Sequence, residues 1–151
     1  MADKIREQSV NIMTELVLPN DGNVLGNLLG GRLLHWIDIA GALAAARHSK
    51  GIVATIHMDQ VGFKHPIKVG NIVEFKSYVT WTGSTSIETA VETYSEDVLT
   101  GEKRFINKVY VVFVAMDQDG MKRSTPPLVP ISDEEKREWD SAVLRRKKRM
   151  C

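Results

Sequence analysis

A chain of 151 residues, 43% hydrophobic and 26% charged, is long enough for one domain with a real core and too apolar to be disordered. Its formal net charge of +1 gives no global field for nucleic acid, and the single cysteine, Cys151, excludes an intrachain disulfide and a multi-cysteine metal site. The charged N-terminus has no apolar signal core and no apolar run reaches membrane-spanning length, so the expectation is a soluble, cytoplasmic protein with neither a membrane nor a nucleic-acid partner.

Residues 9–18 alternate as a strand, ended by the turn Pro19-Asn20-Asp21-Gly22. Gly30 and Gly31 precede a helix over 32–48. There Leu33, Leu34, Ile37, Ala40, Leu43 and Ala44 recur at helical spacing, while Trp36, Ile39 and an Ala-rich end make the helix apolar nearly all round, the pattern of a buried element. Ser49-Lys50-Gly51 closes it. Four strands are predicted next, over 52–61, 72–82, 84–94 and 104–116, punctuated by His65-Pro66, Lys68-Val69-Gly70-Asn71, Gly83 and Leu99-Thr100-Gly101-Glu102. Ser132-Asp133-Glu134-Glu135 fits a capping box opening a C-terminal helical tail over about 131–151, with acidic residues at its start and a basic run over 145–149 at its end. The pattern is α+β over a single domain, 1–151: strands mostly antiparallel to their sequence neighbours, in one sheet wrapped around one helix. Such a sheet leaves an edge and a face open, which invites dimerisation.

The glycines and the helix carry the chemistry to be weighed. Gly26, Gly31, Arg32 and Leu33 have the outline of a phosphate-binding P-loop, but Arg32 replaces the lysine and Leu33 the magnesium-binding hydroxyl, which argues against nucleotide hydrolysis. Gly30 and Gly31 expose N–H groups at a helix start, able to bind a carbonyl oxygen or phosphate; equally, they permit close helix–sheet packing. Asp38 lies beyond the first turn and is no cap. Buried among Leu, Ile, Trp and Ala it would be costly, and its pKa would rise toward the range of a general base. The alternatives are a pair with His35 three residues earlier, or a carboxylate facing water. A lone His35–Asp38 pair, with His48, His57 and His65 at no ligand spacing, gives no reason to expect a metal. With no Gly-x-Ser-x-Gly elbow and no base beside the hydroxyls of 83–86, a hydrolase built on this chain uses activated water or a carboxylate. The basic run over 145–149 lacks interleaved aromatics and reads as a solvated helix end.

The stretch Pro19-Asn20-Asp21-Gly22-Asn23-Val24-Leu25-Gly26-Asn27-Leu28-Leu29-Gly30-Gly31, followed by Trp36-Ile37-Asp38, resembles the signature of hotdog-fold acyl-CoA thioesterases, in particular the bacterial short acyl-CoA hydrolases and the domains of brain-type cytosolic acyl-CoA hydrolase. The similarity continues through Ala45-Ala46-Arg47-His48, Phe63, Val69-Gly70, Ser84 to Ile87, Leu99-Thr100-Gly101 and Pro126-Pro127-Leu128-Val129-Pro130. It implies a hotdog fold, an antiparallel sheet around a long central helix, here with a C-terminal helix added. It implies a homo-oligomer whose active unit is a dimer with a continuous sheet, assembled as a trimer of dimers. It implies hydrolysis of acyl-CoA to free fatty acid and CoA, with no metal and no cofactor beyond the CoA of the substrate. Asn23 and Asp38 would be the catalytic pair, contributed by opposite subunits. Asp38 would act as general base or nucleophile, Asn23 would position water or the carbonyl, and the backbone at Gly30 and Gly31 would stabilise the oxyanion. Family domains with Glu on the helix are inactive at that site; this chain has Asp38. Asn27 matches a position that is Asn or Asp in relatives. Candidates to contact the coenzyme are Asn27, Lys64, Ser84, Thr85, Ser86 and Arg104. Two alternatives stay open: an acyl-CoA-sensing domain without catalysis, and an enoyl-CoA hydratase or dehydratase, which wants a His beside the carboxylate. Chain-length preference is expected to depend on residues such as Trp36, Phe63 and Trp81.

Overall fold

The computed structural model describes residues 2–59 and 62–150; Cys151, and Val61 at the expected end of the second strand, lie outside them. The strands are β1 (Asn11–Leu16), β2 (Val53–Met58), β3 (Ile72–Thr82), β4 (Ser86–Glu96) and β5 (Lys103–Ala115). They form one antiparallel sheet in the order β1-β3-β4-β5-β2. The short turns make β3, β4 and β5 a meander, as their spacing predicts. β2 departs from that rule: it pairs with β5 at the far edge, not with its successor β3. The reason is the helix α1 (Gly30–Ser49), which leads out of β1 at one edge and into β2 at the other. Its 20 residues span about 30 Å, enough to cross a five-stranded sheet whose edges lie about 19 Å apart.

One side of α1 packs on the sheet. Leu33, Trp36, Ile37 and Ala40 are buried against Phe75, Val79, Ile87 and Phe113, with Trp36 edge-on to Phe75 at 6.2 Å. At Gly41 the helix comes close to the sheet: a Cβ there would stand 2.9 Å from Thr89 Oγ1 and 3.1 Å from the Phe113 ring. The other side is a correction to the all-round pattern: Leu34, Ile39 and Leu43 remain partly exposed, so the single chain buries only part of its apolar helix. The helix ends as Lys50 turns left-handed, φ 58°, and donates its N–H to Ala46 O at 2.8 Å. Gly51 follows because the Arg123 guanidinium, bonded to Ser49 O at 3.0 Å, fills the space a side chain would need.

The opposite face of the sheet meets α2 (Asp133–Met150) through polar groups. Glu88, fully buried, accepts Nε and Nη2 of Arg145 at 2.9 and 2.8 Å and Thr80 Oγ1 at 2.6 Å. The Arg145 guanidinium lies 3.5 Å from the centre of the Tyr110 ring. Glu138 accepts from Lys108 and from Tyr110 OH. Burial alone would lower the pKa of Lys108 and Arg145, but their carboxylate partners outweigh it and hold both above their ordinary values. Glu92 accepts the phenols of Tyr78 and Tyr94 at 2.6 and 2.7 Å; that bond, with some burial, pushes Tyr94 up to about 12. The basic run is therefore more than a solvated helix end, since Arg145 is bound beneath α2.

The capping box forms in both directions, Glu135 N–H to Ser132 Oγ at 3.1 Å and Ser132 N–H to Glu135 Oε2 at 3.2 Å. Ser132→Ala is expected to cost about 1 kcal/mol and to lower the melting temperature by about 3–4 °C, read by thermal denaturation. An unchanged melting temperature would show that docking, not the cap, decides where α2 starts. No helix among the described residues is long and apolar enough to cross a membrane.

Candidate active site

Two short segments before α1 build the first part of the site. Asn23 closes a tight turn: its Oδ1 accepts the N–H of Leu25 at 2.9 Å and of Asn27 at 3.2 Å. Its own N–H reaches Asn27 O at 2.8 Å, and Gly26 N–H returns to Asn23 O at 3.0 Å. Gly26 has φ 80°, a conformation other residues adopt only with strain. Val69 N–H to Gly26 O, at 2.9 Å, ties the turn to the body. With the carbonyl of its side chain consumed, exposed Asn23 presents its NH2 outward.

The second segment is the helix start. Buried Asp21 accepts Leu18 N–H at 2.9 Å and pairs with Arg32 Nε at 3.1 Å, while its backbone carbonyl takes Leu29 N–H. Arg32, standing where a P-loop would have lysine, thus anchors the loop to the helix. No side chain caps α1, so its first N–H groups keep the partial positive charge of a helix N-terminus. A Cβ added at Gly30 or Gly31 would meet nothing within 4 Å. Close helix–sheet packing is therefore not why these two residues are glycine; the space in front of the helix is open.

Asp38 sits two turns along. It is half-buried, and its partner is not His35, which is exposed, but Thr55: Thr55 Oγ1 donates to Asp38 Oδ1 at 2.6 Å. Thr55 lies on the edge strand β2, opposite Phe113, and the register shifts between Thr55 and His57, bending the strand beside the carboxylate. Thr55 was not legible as a site residue. A threonine in a strand is ordinary, and its role appears only when β2 is laid against α1.

Gly31 and Asp38 are seven residues apart on one straight helix, about 10 Å along its axis. An oxyanion donor must stand about 3 Å from its oxygen, and a base about as close to the attacking atom. A carbonyl held by the Gly31 N–H is out of reach of Asp38 in the same chain. In the single chain the Asn23–Gly31 segment and the Asp38–Thr55 pair are therefore two separate sets of groups. Beside Asp38 the outer edge of β2 has no strand partner among the described residues, and Ile56 on it is 57% exposed.

The remaining candidates divide between the two ends of the sheet. Ser84 and Thr85 lie in the β3–β4 turn and Ser86 opens β4; Thr125 N–H bonds Ser84 O and Ala115 N–H bonds Thr85 O. Arg104 pairs with Ser95 at the other end of β4, about 30 Å from Ser86 along the strand. There Arg104 and Lys68 line a polar cavity of about 130 Å³, and Lys64 lies 5.1 Å from the centre of the Phe105 ring. One chain cannot bring both groups to the same phosphate. Asn27 joins the lower end through a bridge to Lys68. The Trp81 ring meets Trp139 of α2 at a tilt of 51°, centres 6.1 Å apart, on the far face of the sheet from α1.

Comparison with known proteins bears on this arrangement. Residues 25–102 match the family described as the thioesterase superfamily. The uncharacterized acyl-CoA thioester hydrolase YkhA of Bacillus subtilis is 36% identical over 143 residues, 95% of this chain and 83% of that protein. An apo-hexameric acyl-CoA thioesterase superposes with a TM-score of 0.93 at 37% identity, covering 99% of this chain and 96% of the other. The acyl-CoA hydrolase of Staphylococcus aureus, in complex with butyryl coenzyme A, coenzyme A and coenzyme A disulfide, gives 0.87 at 33% identity, covering 97% and 92%. Structures of that enzyme also exist with one Asp, one Asn or one Thr replaced by alanine. Sequence and topology agree along nearly the whole length, and this chain belongs to the thioesterase superfamily, with its hotdog fold.

Proposed function

We propose that this chain hydrolyses the thioester of acyl-CoA to a fatty acid and CoA, at sites shared between two copies. The observation that carries the proposal is the Asp38–Thr55 pair on the open flank of α1, too far along the helix from the uncapped Gly31 N–H to share a substrate with it. The Asn, Asp and Thr replaced in the staphylococcal enzyme stand at the same two separations along the chain as Asn23, Asp38 and Thr55, which supports assigning these three to one reaction.

Thr55 holds Asp38 Oδ1 and leaves Oδ2 to take a proton from water. The water oxygen bonds to the thioester carbon. The carbonyl oxygen becomes an oxyanion, met by the Gly31 N–H and the Asn23 NH2 of the other copy. Collapse breaks the carbon–sulfur bond, and the departing thiolate takes the proton from Asp38. A thioester is electrophilic enough for this set, and the reaction asks for no cofactor beyond the CoA it releases. The dehydratase reading is disfavoured because the group beside Asp38 is a hydroxyl, not an imidazole. The open β2 edge supports pairing of two copies there; the hexameric relative supports assembly of three such dimers. The setting we infer is cytoplasmic.

Subunit mixing tests the shared site. Asn23→Ala and Asp38→Ala proteins, each inactive alone, are mixed after dissociation and thiol release is followed. Random pairing places one intact site in half of the dimers, so activity should return to about a quarter of wild type. No recovery from properly reassembled mixtures would place both residues in a single-chain site.

A further inference from the structure

We infer that Val24 and Leu25, carried on the same turn as Asn23, form one wall of the acyl-chain cleft and set which acyl lengths are hydrolysed; this rests on the shared-site reading above. Val24 is 102% exposed and Leu25 79%, at the tip of the loop. Turn tips are ordinarily polar, because exposed apolar surface gains nothing there. This tip is not loose: the Asn23 side chain, the Gly26 N–H and Val69 N–H fix it through the four bonds described above. A rigid turn holding two adjacent aliphatic side chains in water presents them to something absent from the isolated chain.

Chain geometry says what that is. Consecutive Cα atoms are 3.8 Å apart, so Val24 and Leu25 lie within about 8 Å of Asn23. If Asn23 meets the thioester carbonyl, the first methylenes of the acyl chain leave from a point within reach of these two side chains. The charged and polar coenzyme leaves from the other side of the same carbon and has no use for an aliphatic wall. The half-site that supplies Asp38 is flanked on α1 by partly exposed Leu34, four residues earlier and so on the same helix face, which gives the opposite wall from the second copy. The recognised group is the proximal alkyl portion of the acyl chain.

The test is kcat/KM across straight-chain acyl-CoAs from acetyl to dodecanoyl, for wild type, Val24→Ser, Leu25→Ser, Leu25→Phe and Asp38→Asn, with assembly followed by sedimentation velocity. Each methylene that loses its apolar wall costs about fourfold. The serine variants should therefore lower the ratio of the best medium-chain substrate to acetyl-CoA by about tenfold or more, and Leu25→Phe should move the optimum to shorter chains in an intact assembly. An unchanged ratio in the serine variants, or an unchanged optimum in the assembled Leu25→Phe protein, overturns the proposal even if overall activity drops. Wild-type turnover in Asp38→Asn overturns the shared-site reading instead, whatever the chain-length profile.

Discussion

Asp38→Asn is expected to slow thiol release from acyl-CoA by about a thousandfold, in kcat with little change in KM. Asparagine keeps the volume and can still accept the Thr55 hydroxyl through its side-chain oxygen, so the 2.6 Å contact and the local fold should survive. What is lost is the second oxygen's ability to take a proton, or to attack. CoA binding by calorimetry should be near wild type, because no part of the coenzyme depends on that carboxylate. A variant that keeps more than about a tenth of the wild-type rate, with the protein still folded and assembled, would remove Asp38 from the chemistry. Single turnover in 18O water separates the two roles. Attack by water on the thioester puts the label only in the product, whereas attack by Asp38 expels the thiolate and forms an acyl–aspartyl anhydride, and water opening it at the Asp38 carbonyl leaves label in the protein.

The second large effect is on stability. Arg145→Met should destabilise the fold by about 3–5 kcal/mol, because it strands Glu88 without its cation in a fully buried position. At this chain length that is about 10 °C in melting temperature. Thr80 still donates to Glu88 at 2.6 Å, but one hydroxyl cannot replace a two-armed guanidinium. The double variant Glu88→Leu with Arg145→Met should recover most of the loss, since burying a pair of charges is itself expensive. Chemical denaturation of the three proteins decides it. A single variant within about 1 kcal/mol of wild type would mean that water reaches Glu88 once the arginine is gone.

Much of the fold is legible in the sequence, and where it is not, the cause is distance along the chain. The predicted 72–82 coincides with β3, and the strands predicted over 84–94 and 104–116 fall within two residues of β4 and β5, because turn residues bracket apolar runs. The placement of β2 is not legible. Its sequence fixes that it is a strand but not which neighbour it takes, and α1 carries it past three strands to β5. The site shows the same division. Asn23, Gly31 and Asp38 stand out within one sixteen-residue segment, from Asn23 to Asp38, through glycines and an out-of-place carboxylate. Thr55 and the Asp21–Arg32 anchor do not, since their meaning lies in partners on other elements. Residues 145–149 misled for the same reason: a charge run looks solvated until a buried Glu88 is placed beneath it.

The sheet order has a consequence for how the chain is made. β1 must wait for β3, pairing Asn11 with Ser77, and β2 must wait for β5, pairing Val53 with Ala115. Only β3, β4 and β5 close through short loops, so they are the part that can form early, while both outer strands carry the entropy of long closures. On a ribosome the edge strand β2 has no platform until β5 has emerged. The edge proposed for association, and Thr55 beside it, therefore take their place only once β5 has been made.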